Sequence, residues 1–353
     1  MTATLKPVAL YSHEWGIRDS VPIFNGGLGI LNGCILDTAA DLGYPLVGVG
    51  IMFHQGFLKQ TIEDNRQVAH PQRWNPENEG FELLPQRARI RMYNQDVTLA
   101  AWRTRVASPV SGKSVDLLLL DSDLAENPEN ARTLSQLLYD DRVKLAQNVM
   151  LGIGGPIMLQ QLGYDIGTHH MQEGHAAALV LKLMRDYGGN IDRVREACVF
   201  TNHTPVEAGM PKFLLEDVKA AIGYLLPSEI GDLATLKGQE NLFNTNMLAA
   251  KLSRHSNAVS RLHAEVLQQM PEFQGITFGC ITNGVHWRFM SGRMQNSIDS
   301  AVKYAGMAGD WRTFPELLRQ VNLAPEVLRA VHAANKQELV DFVNDKTPAS
   351  LKS

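Results

Sequence analysis

Short, solidly apolar runs that close on polar or glycine-rich loops, each leading into an amphipathic segment, constrain this chain more than any other feature. Val115 to Leu120 (VDLLLL) is the clearest, ending in Asp121-Ser-Asp123, and Pro45 to Phe53 (PLVGVGIMF) is another. A strand that is apolar on both faces has to be covered on both, as in a mainly parallel sheet between layers of helix. Val8 to Tyr11 is a further strand, leading through Asn25-Gly-Gly-Leu-Gly29 into an amphipathic helix that ends near Leu42-Gly43. The rhythm recurs at His169 to Met171, followed by a helix from about His175 to Tyr187, then at Cys198 to Thr201 and Ile276 to Ile281. Residues 61 to 82 read as a long surface loop. Ala88 to Tyr93 and Val97 to Val106 read as a hairpin turning at Asn94-Gln-Asp96. Ala131 to Val149 reads as one long helix, and Thr313 to Asp345 as helices opened by Pro315 and Pro325. Without a repeat or a Gly/Ser linker, residues 1–353 read as a single α/β domain.

Composition narrows the partners. With 44% hydrophobic residues the chain can bury a large core, and a net charge of −4 without any block of Lys or Arg favours neither nucleic acid nor an anionic membrane. The most apolar stretch, Val149 to Leu159, carries Gly152, Gly154, Gly155 and Pro156 and is too short to span a bilayer. The opening MTATLKPVALYSHEWG has no basic region followed by a long apolar run, so no signal peptide is expected. Cys34, Cys198 and Cys280 are odd in number and sit in apolar surroundings. They read as reduced core residues of a cytoplasmic protein.

Four loops at strand ends could carry chemistry, because ligands of open α/β sheets bind at that edge. In Asn25-Gly26-Gly27-Leu28-Gly29 the glycines leave backbone amides unshielded at a helix start, suited to phosphate or a sugar hydroxyl; a plain tight turn explains them equally well. A dinucleotide fingerprint fits poorly, since no acidic residue follows about 20 positions on. His169-His-Met-Gln-Glu173-Gly-His175 offers three imidazoles and a carboxylate, but in the reverse of the zinc-protease order and broken by glycine, so a structural or sugar-contacting role is expected. Thr201-Asn-His203-Thr-Pro205 and Thr282-Asn283-Gly-Val-His286-Trp287 complete the set.

Taken together and in order, these loops resemble the α-glucan (glycogen, starch, maltodextrin) phosphorylases. The resemblance rests on Tyr11-Ser-His-Glu14-Trp-Gly, NGGLG, Asp41-Leu-Gly-Tyr-Pro-Leu-Val-Gly-Val-Gly50, Gln55-Gly-Phe, Leu119-Leu-Asp-Ser-Asp123 and Glu126-Asn-Pro128. Leu151-Gly-Ile-Gly-Gly155, Glu173-Gly-His-Ala-Ala, Phe200-Thr-Asn-His-Thr-Pro205, Thr282-Asn-Gly-Val-His286 and Asp310-Trp311 extend it over essentially the whole chain. It implies a Rossmann-like, mainly parallel sheet with helices on both faces, equivalent to the N-terminal half of a GT-B glycosyltransferase fold. The second half, which carries pyridoxal phosphate on a lysine, has no counterpart here. By motif, Gly26, Gly27 and Leu28 would approach phosphate and the glucosyl ring, braced by Glu14. His203 and Asn283 would contact sugar hydroxyls, Glu173 and His175 would line the acceptor path, and His286 would stand with them. Departures flank these loops: His13 stands for a usual Met, His54 for an aromatic residue, a glycine pair is lost around Tyr139-Asp-Asp141, and Trp287 directly follows His286.

Three functional classes follow from the resemblance. One is a non-catalytic domain binding a sugar, glucan, phosphate or partner protein. Another is half of a split phosphorylase whose partner chain supplies the cofactor, and the third is an enzyme repurposing the histidines, with or without a metal. The chain alone is expected to hold no cofactor and to perform no phosphorolysis, and a metal enters only with the third class. An apolar face beside the loops is expected to self-associate or meet a partner. His13, His54, His175, His203 and His286 are expected at one sheet edge, each bonded to a carbonyl or to a carboxylate such as Glu14 or Glu173.

Overall fold

A computed structural model describes residues 5–64, 66–206, 209–313 and 315–346. The strands in chain order are β1 (Val8–Tyr11), β2 (Leu46–Ile51), β3 (Leu58–Glu63), β4 (Arg66–Pro71), β5 (Glu82–Leu83), β6 (Ala88–Met92) and β7 (Gln95–Ala107). There follow β8 (Ser114–Asp121), β9 (Thr168–Gln172), β10 (Cys198–Asn202), β11 (Lys212–Leu214), β12 (Leu242–Asn244), β13 (His255–Ala258) and β14 (Phe278–Cys280). Ten of them form one sheet in the order β14-β13-β10-β9-β1-β2-β8-β7-β5, with β6 paired to β7. From β14 to β8 every neighbour is parallel, whereas β7, β5 and β6 run antiparallel. The fold is α/β, and Leu117 to Leu120 on β8 are buried on both faces as their sequence requires.

Parallel registry places all the strand exits on one edge: Tyr11 lies opposite Met171 of β9 and Val49 of β2. The chain leaves β1 for β2 and β8 on one side and later returns to β9 on the other. The crevice between the β1 and β9 exits is therefore the topological switch point. Helix α1 (Gly27–Leu42) starts at that edge and stops at Gly43, whose φ of 63° closes the helix by donating to Ala39 and Ala40. It packs closely because Gly29 and Gly33 lack side chains. A Cβ on Gly33 would sit 2.2 Å from the Gly16 carbonyl oxygen, and one on Gly29 would sit 2.3 Å from Cβ of Phe24.

Several expectations are corrected. Residues 61 to 82 include most of an exposed hairpin, β3 against β4. The β6–β7 turn is Tyr93-Asn94, both at positive φ, one position earlier than expected. No continuous helix covers 131 to 149: helical turns at 129–135 give way to an irregular segment in which Tyr139 takes a φ of 62°, incompatible with a right-handed helix. Helix instead runs from Lys144 to Gln161 through a π-turn at Met150–Gly154. The glycines that seemed to interrupt this stretch let it lie on the sheet, since a Cβ on Gly154 would meet Leu99 at 2.4 Å and one on Gly155 Tyr11 at 2.8 Å. Cys34 and Cys198 are buried but Cys280 is exposed, and all three are free thiols. A small satellite core (Ile298, Val302, Trp311) forms beside the main one, under helices Gly292–Tyr304 and Pro315–Gln320. Among the described residues no helix is long and apolar enough to cross a membrane.

Candidate functional site

Strand β1 runs directly into Ser12-His13-Glu14, so these side chains stand at the switch point. Glu14 is a buried brace. Its Oε2 accepts the backbone N–H groups of Asn25 (2.9 Å) and Gly26 (3.1 Å), its Oε1 accepts the Tyr139 hydroxyl, and its carbonyl takes the Asn32 amide at 3.0 Å. The entry to α1 is thereby fixed from behind. In front it is open: no side chain caps the helix, no acidic residue stands in its first turn, and a Cβ on Gly26 or Gly27 would meet nothing within 4 Å. Gly26 has an extended φ of −150°, which any residue adopts. Neither glycine is demanded by its backbone or by its neighbours. The Gly26 N–H is taken by Glu14, and the amides that follow it, at the positive end of the helix dipole, suit phosphate or sugar oxygens.

Across the crevice, Glu173 to Ala176 form a short 3-10 turn after β9. Glu173 sits at a φ of 58°, which costs a residue with a side chain about 1–2 kcal/mol. Its buried carboxylate accepts the Asn202 amide (3.0 Å) and the His203 backbone N–H (2.9 Å). Burial outweighs these donors and pushes its pKa up to about 8, so the carboxyl carries a proton at neutral pH. Gly174 is obligatory, because a Cβ there would lie 2.3 Å from Oγ1 of Thr245. His175 lies flat on His13, with centroids 4.4 Å apart and planes 1° from parallel. Both rings are buried, and neither Nε2 of His13 nor Nδ1 of His175 has a partner. Burial, reinforced by the Lys144 charge, brings His175 down to about 3 and holds His13 well below the usual imidazole value, with the neighbouring His175 adding to the effect. The stack is neutral. The Tyr139 ring packs against His175 at 6.1 Å, joining this pair to the Glu14 brace.

His203 completes the floor. Its ring bonds the Gln172 side-chain oxygen, and burial brings its pKa down to about 3. Behind it Asn202 pairs through Oδ1 with Nε2 of His263 at 2.9 Å. The other histidines of β9 are structural: His169 bonds the Tyr11 hydroxyl (2.9 Å), and His170 bonds Thr201 (2.8 Å), which donates to Asn257.

Of the five histidines expected together, His13, His175 and His203 meet, and two do not. His54 pairs with Asp121 at 2.9 Å. His286 bonds Asp41 at 2.9 Å, and its backbone N–H reaches Cys34. Asp41 lies 14 residues along α1 from Gly27, roughly 20 Å at the rise of an α-helix. Trp287 also donates to Asp41, and Arg288 pairs with Asp37, so this loop clamps the flank of α1. His286 thus serves as an anchor on that flank. Asn283 is exposed and held through its backbone to Val259. Among the described residues the expected partners Glu14 and Glu173 bond to no imidazole; backbone N–H, side-chain amide and hydroxyl groups take them instead. Among the described residues no group of three or more His, Cys, Asp or Glu side chains is arranged to hold a metal. Gln172 and Asn202 stood within the motifs without being singled out, and Tyr139 reaches Glu14 across 125 residues of chain, beyond any local signal.

Comparison with known proteins gives consistent matches. The family model for carbohydrate phosphorylase matches residues 18–113. Maltodextrin phosphorylase of Thermococcus litoralis is 32% identical over 97% of this chain and 43% of its own length. Glycogen phosphorylase of Aquifex aeolicus is 29% identical over 97% of this chain and 52% of its own. Glycogen phosphorylase of Mycobacterium tuberculosis is 32% identical over 79% and 36%. The chain thus spans about half the length, or less, of these curated relatives.

Proposed function

The chain belongs to the carbohydrate phosphorylase family, and from that premise we propose that it forms the sugar-facing wall of a glucan-binding site at the switch point. Gly27 and Leu28 present amides to phosphate and to the terminal glucosyl ring, while Gly26, its own N–H held by Glu14, leaves the approach open. His203 and Asn283 meet sugar hydroxyls, Glu173 and His175 line the acceptor side, and Glu14 holds the first loop in place. The observation that carries this reading is the pair Gly26 and Gly27, two glycines whose missing side chains the fold itself does not use. Glu173, protonated and fixed by Asn202 and His203, can donate to a sugar oxygen without bringing a charge into a dry site. The walls are set by hydrogen bonds before any ligand arrives, so positioning is their main contribution. The buried free thiols Cys34 and Cys198 accord with a cytoplasmic setting.

Pyridoxal phosphate, which the family resemblance implies, needs a lysine amine available inside a pocket. Lys144, whose charge is felt by the stacked imidazoles, is paired with Asp141 at 3.5 Å, and Lys182 and Lys212 are paired with Asp186 and Glu272. These three amines, each already engaged by a carboxylate, do not fit the cofactor, and Lys219, unpaired among the described residues, lines a cleft that the glycine loop does not share. On this reading phosphorolysis needs a cofactor-bearing part beyond these residues, and the chain's own contribution is binding.

Calorimetric titration with maltoheptaose in the presence of phosphate tests this reading. One site is expected in the native chain, weakened at least about tenfold by Gly27→Val through steric exclusion. Equal affinity in the variant would reject the loop as the site. The chain alone should release no glucose 1-phosphate from maltodextrin, and release above contamination would overturn the assignment of binding without phosphorolysis.

A further inference from the structure

We propose that a second ligand site, for a small phosphorylated molecule, occupies the cationic cleft between the β6–β7 hairpin and the helices Ala178–Asp186 and Leu215–Ile222. The cleft holds a cavity of about 510 Å³, within the range of small-molecule sites. Five cations converge on it. Arg89 and Arg91 share the outer face of β6, because Ala88, Ile90 and Met92 between and beside them point into the core. Lys182 and Arg185, three residues apart, share one helix face, and Lys219 enters from the facing helix. Asp186 is the single carboxylate on the wall, and it is already bonded to Lys182. Among the described residues Arg89, Arg91, Arg185 and Lys219 form no ion pair, in a chain whose net charge is −4.

The wall is built. Tyr224 donates to the Arg91 carbonyl at 2.9 Å, and the Tyr93 N–H donates to the Ala221 carbonyl at 3.0 Å, tying hairpin to helix at the end of the cleft. The Arg185 guanidinium stands 5.7 Å from the Tyr224 ring centroid. Ile153, Ile157 and Leu225 supply an apolar floor. Like charges brought together repel, and an anion with several acceptor oxygens converts that repulsion into charge-assisted hydrogen bonds. A bare anion would leave the apolar floor and Tyr224 without contacts, so the occupant is an organic phosphate whose ring rests there. The site is independent of the glycine loop and of the glucan reading.

The experiment is calorimetry of the 353-residue chain with ribose 5-phosphate, inorganic phosphate and ribose. Beyond any binding at the glycine loop, which Gly27→Val removes, ribose 5-phosphate should bind at one site in the cleft more tightly than inorganic phosphate, and ribose should not bind there. The double variant Arg91→Glu/Arg185→Glu should weaken binding at least about tenfold, while Gly27→Val leaves it unchanged. Both arginines are exposed, so folding should survive; the single variants Arg89→Gln and Lys219→Gln, each expected to weaken binding several-fold, provide the same reading should the double variant unfold. Absence of binding by the native chain, equal affinity for inorganic phosphate, or loss on Gly27→Val rather than on charge reversal would each overturn the proposal.

Discussion

At the scale of single residues, proton binding is the property most altered by burial. His169 and His170 are brought down to about 4, and His175 and His203 to about 3, chiefly by desolvation. In the unfolded chain each returns to about 6.5. Between these values the unfolded state holds protons that the folded state lacks, so stability present above pH 6.5 is lost as pH falls toward the folded pKa. Glu173 acts in the opposite direction. Its folded value of about 8 exceeds the ordinary carboxyl value, so its proton is released on unfolding and its contribution is lost as pH rises toward 8. Unfolding at pH 5 should therefore take up several protons, and Glu173→Gln should raise that uptake by about one. Calorimetry in buffers of different ionisation enthalpy measures both; zero uptake would mean that the imidazoles are already charged in the native state.

At the scale of elements, α1 shows which glycines serve the fold. Gly33→Ala pushes a methyl against a backbone carbonyl that cannot yield, with an expected cost of about 1–3 kcal/mol or more. Gly27→Ala meets open space at the helix start and should change stability by no more than about 1 kcal/mol, in either direction. Urea unfolding of the two variants side by side checks the contrast, and similar losses in both would contradict the packing described. Local signals of this kind were legible in the sequence: β1, the end of α1 at Gly43, β8, β10 and the proline-opened helices stand where apolar runs and breakers put them. Strand β13 (HSNA) was not legible, because its polar residues are buried only by bonding to β10 through Thr201 and Asn257. Tyr139 was read as helical because its backbone is held by contacts to Glu14 and His175, far away in the chain. At the candidate site the loops were legible as loops. Which histidines face one another was not, since that depends on strand order, and His286, bonded to Asp41 on the flank of α1, is the example.

At the scale of the whole molecule, stability is unevenly distributed. The C-terminal helix Pro325–Lys346 leaves Leu339 and Phe342 more than half exposed and buries Val331. It is tied to the helix Gly292–Tyr304 by Arg293–Glu338 at 2.6 Å and to that helix's N-cap by Asn335 to Ser291 at 3.1 Å. Its amides should exchange with solvent by local opening, orders of magnitude faster than those of β1, β2 and β9. Hydrogen exchange read by mass spectrometry would show this, and uniform protection from residue 8 to residue 346 would argue against it. The strand order has a further consequence, for biosynthesis. The central strand β1 leaves the ribosome before its neighbour β9, which follows about 160 residues later. At about 5–20 residues per second the nascent chain keeps one edge of its future centre unpaired for roughly ten to thirty seconds. An unpaired edge is a template for foreign strands. During translation, then, the most deeply buried part of the finished protein is the part most in need of shelter.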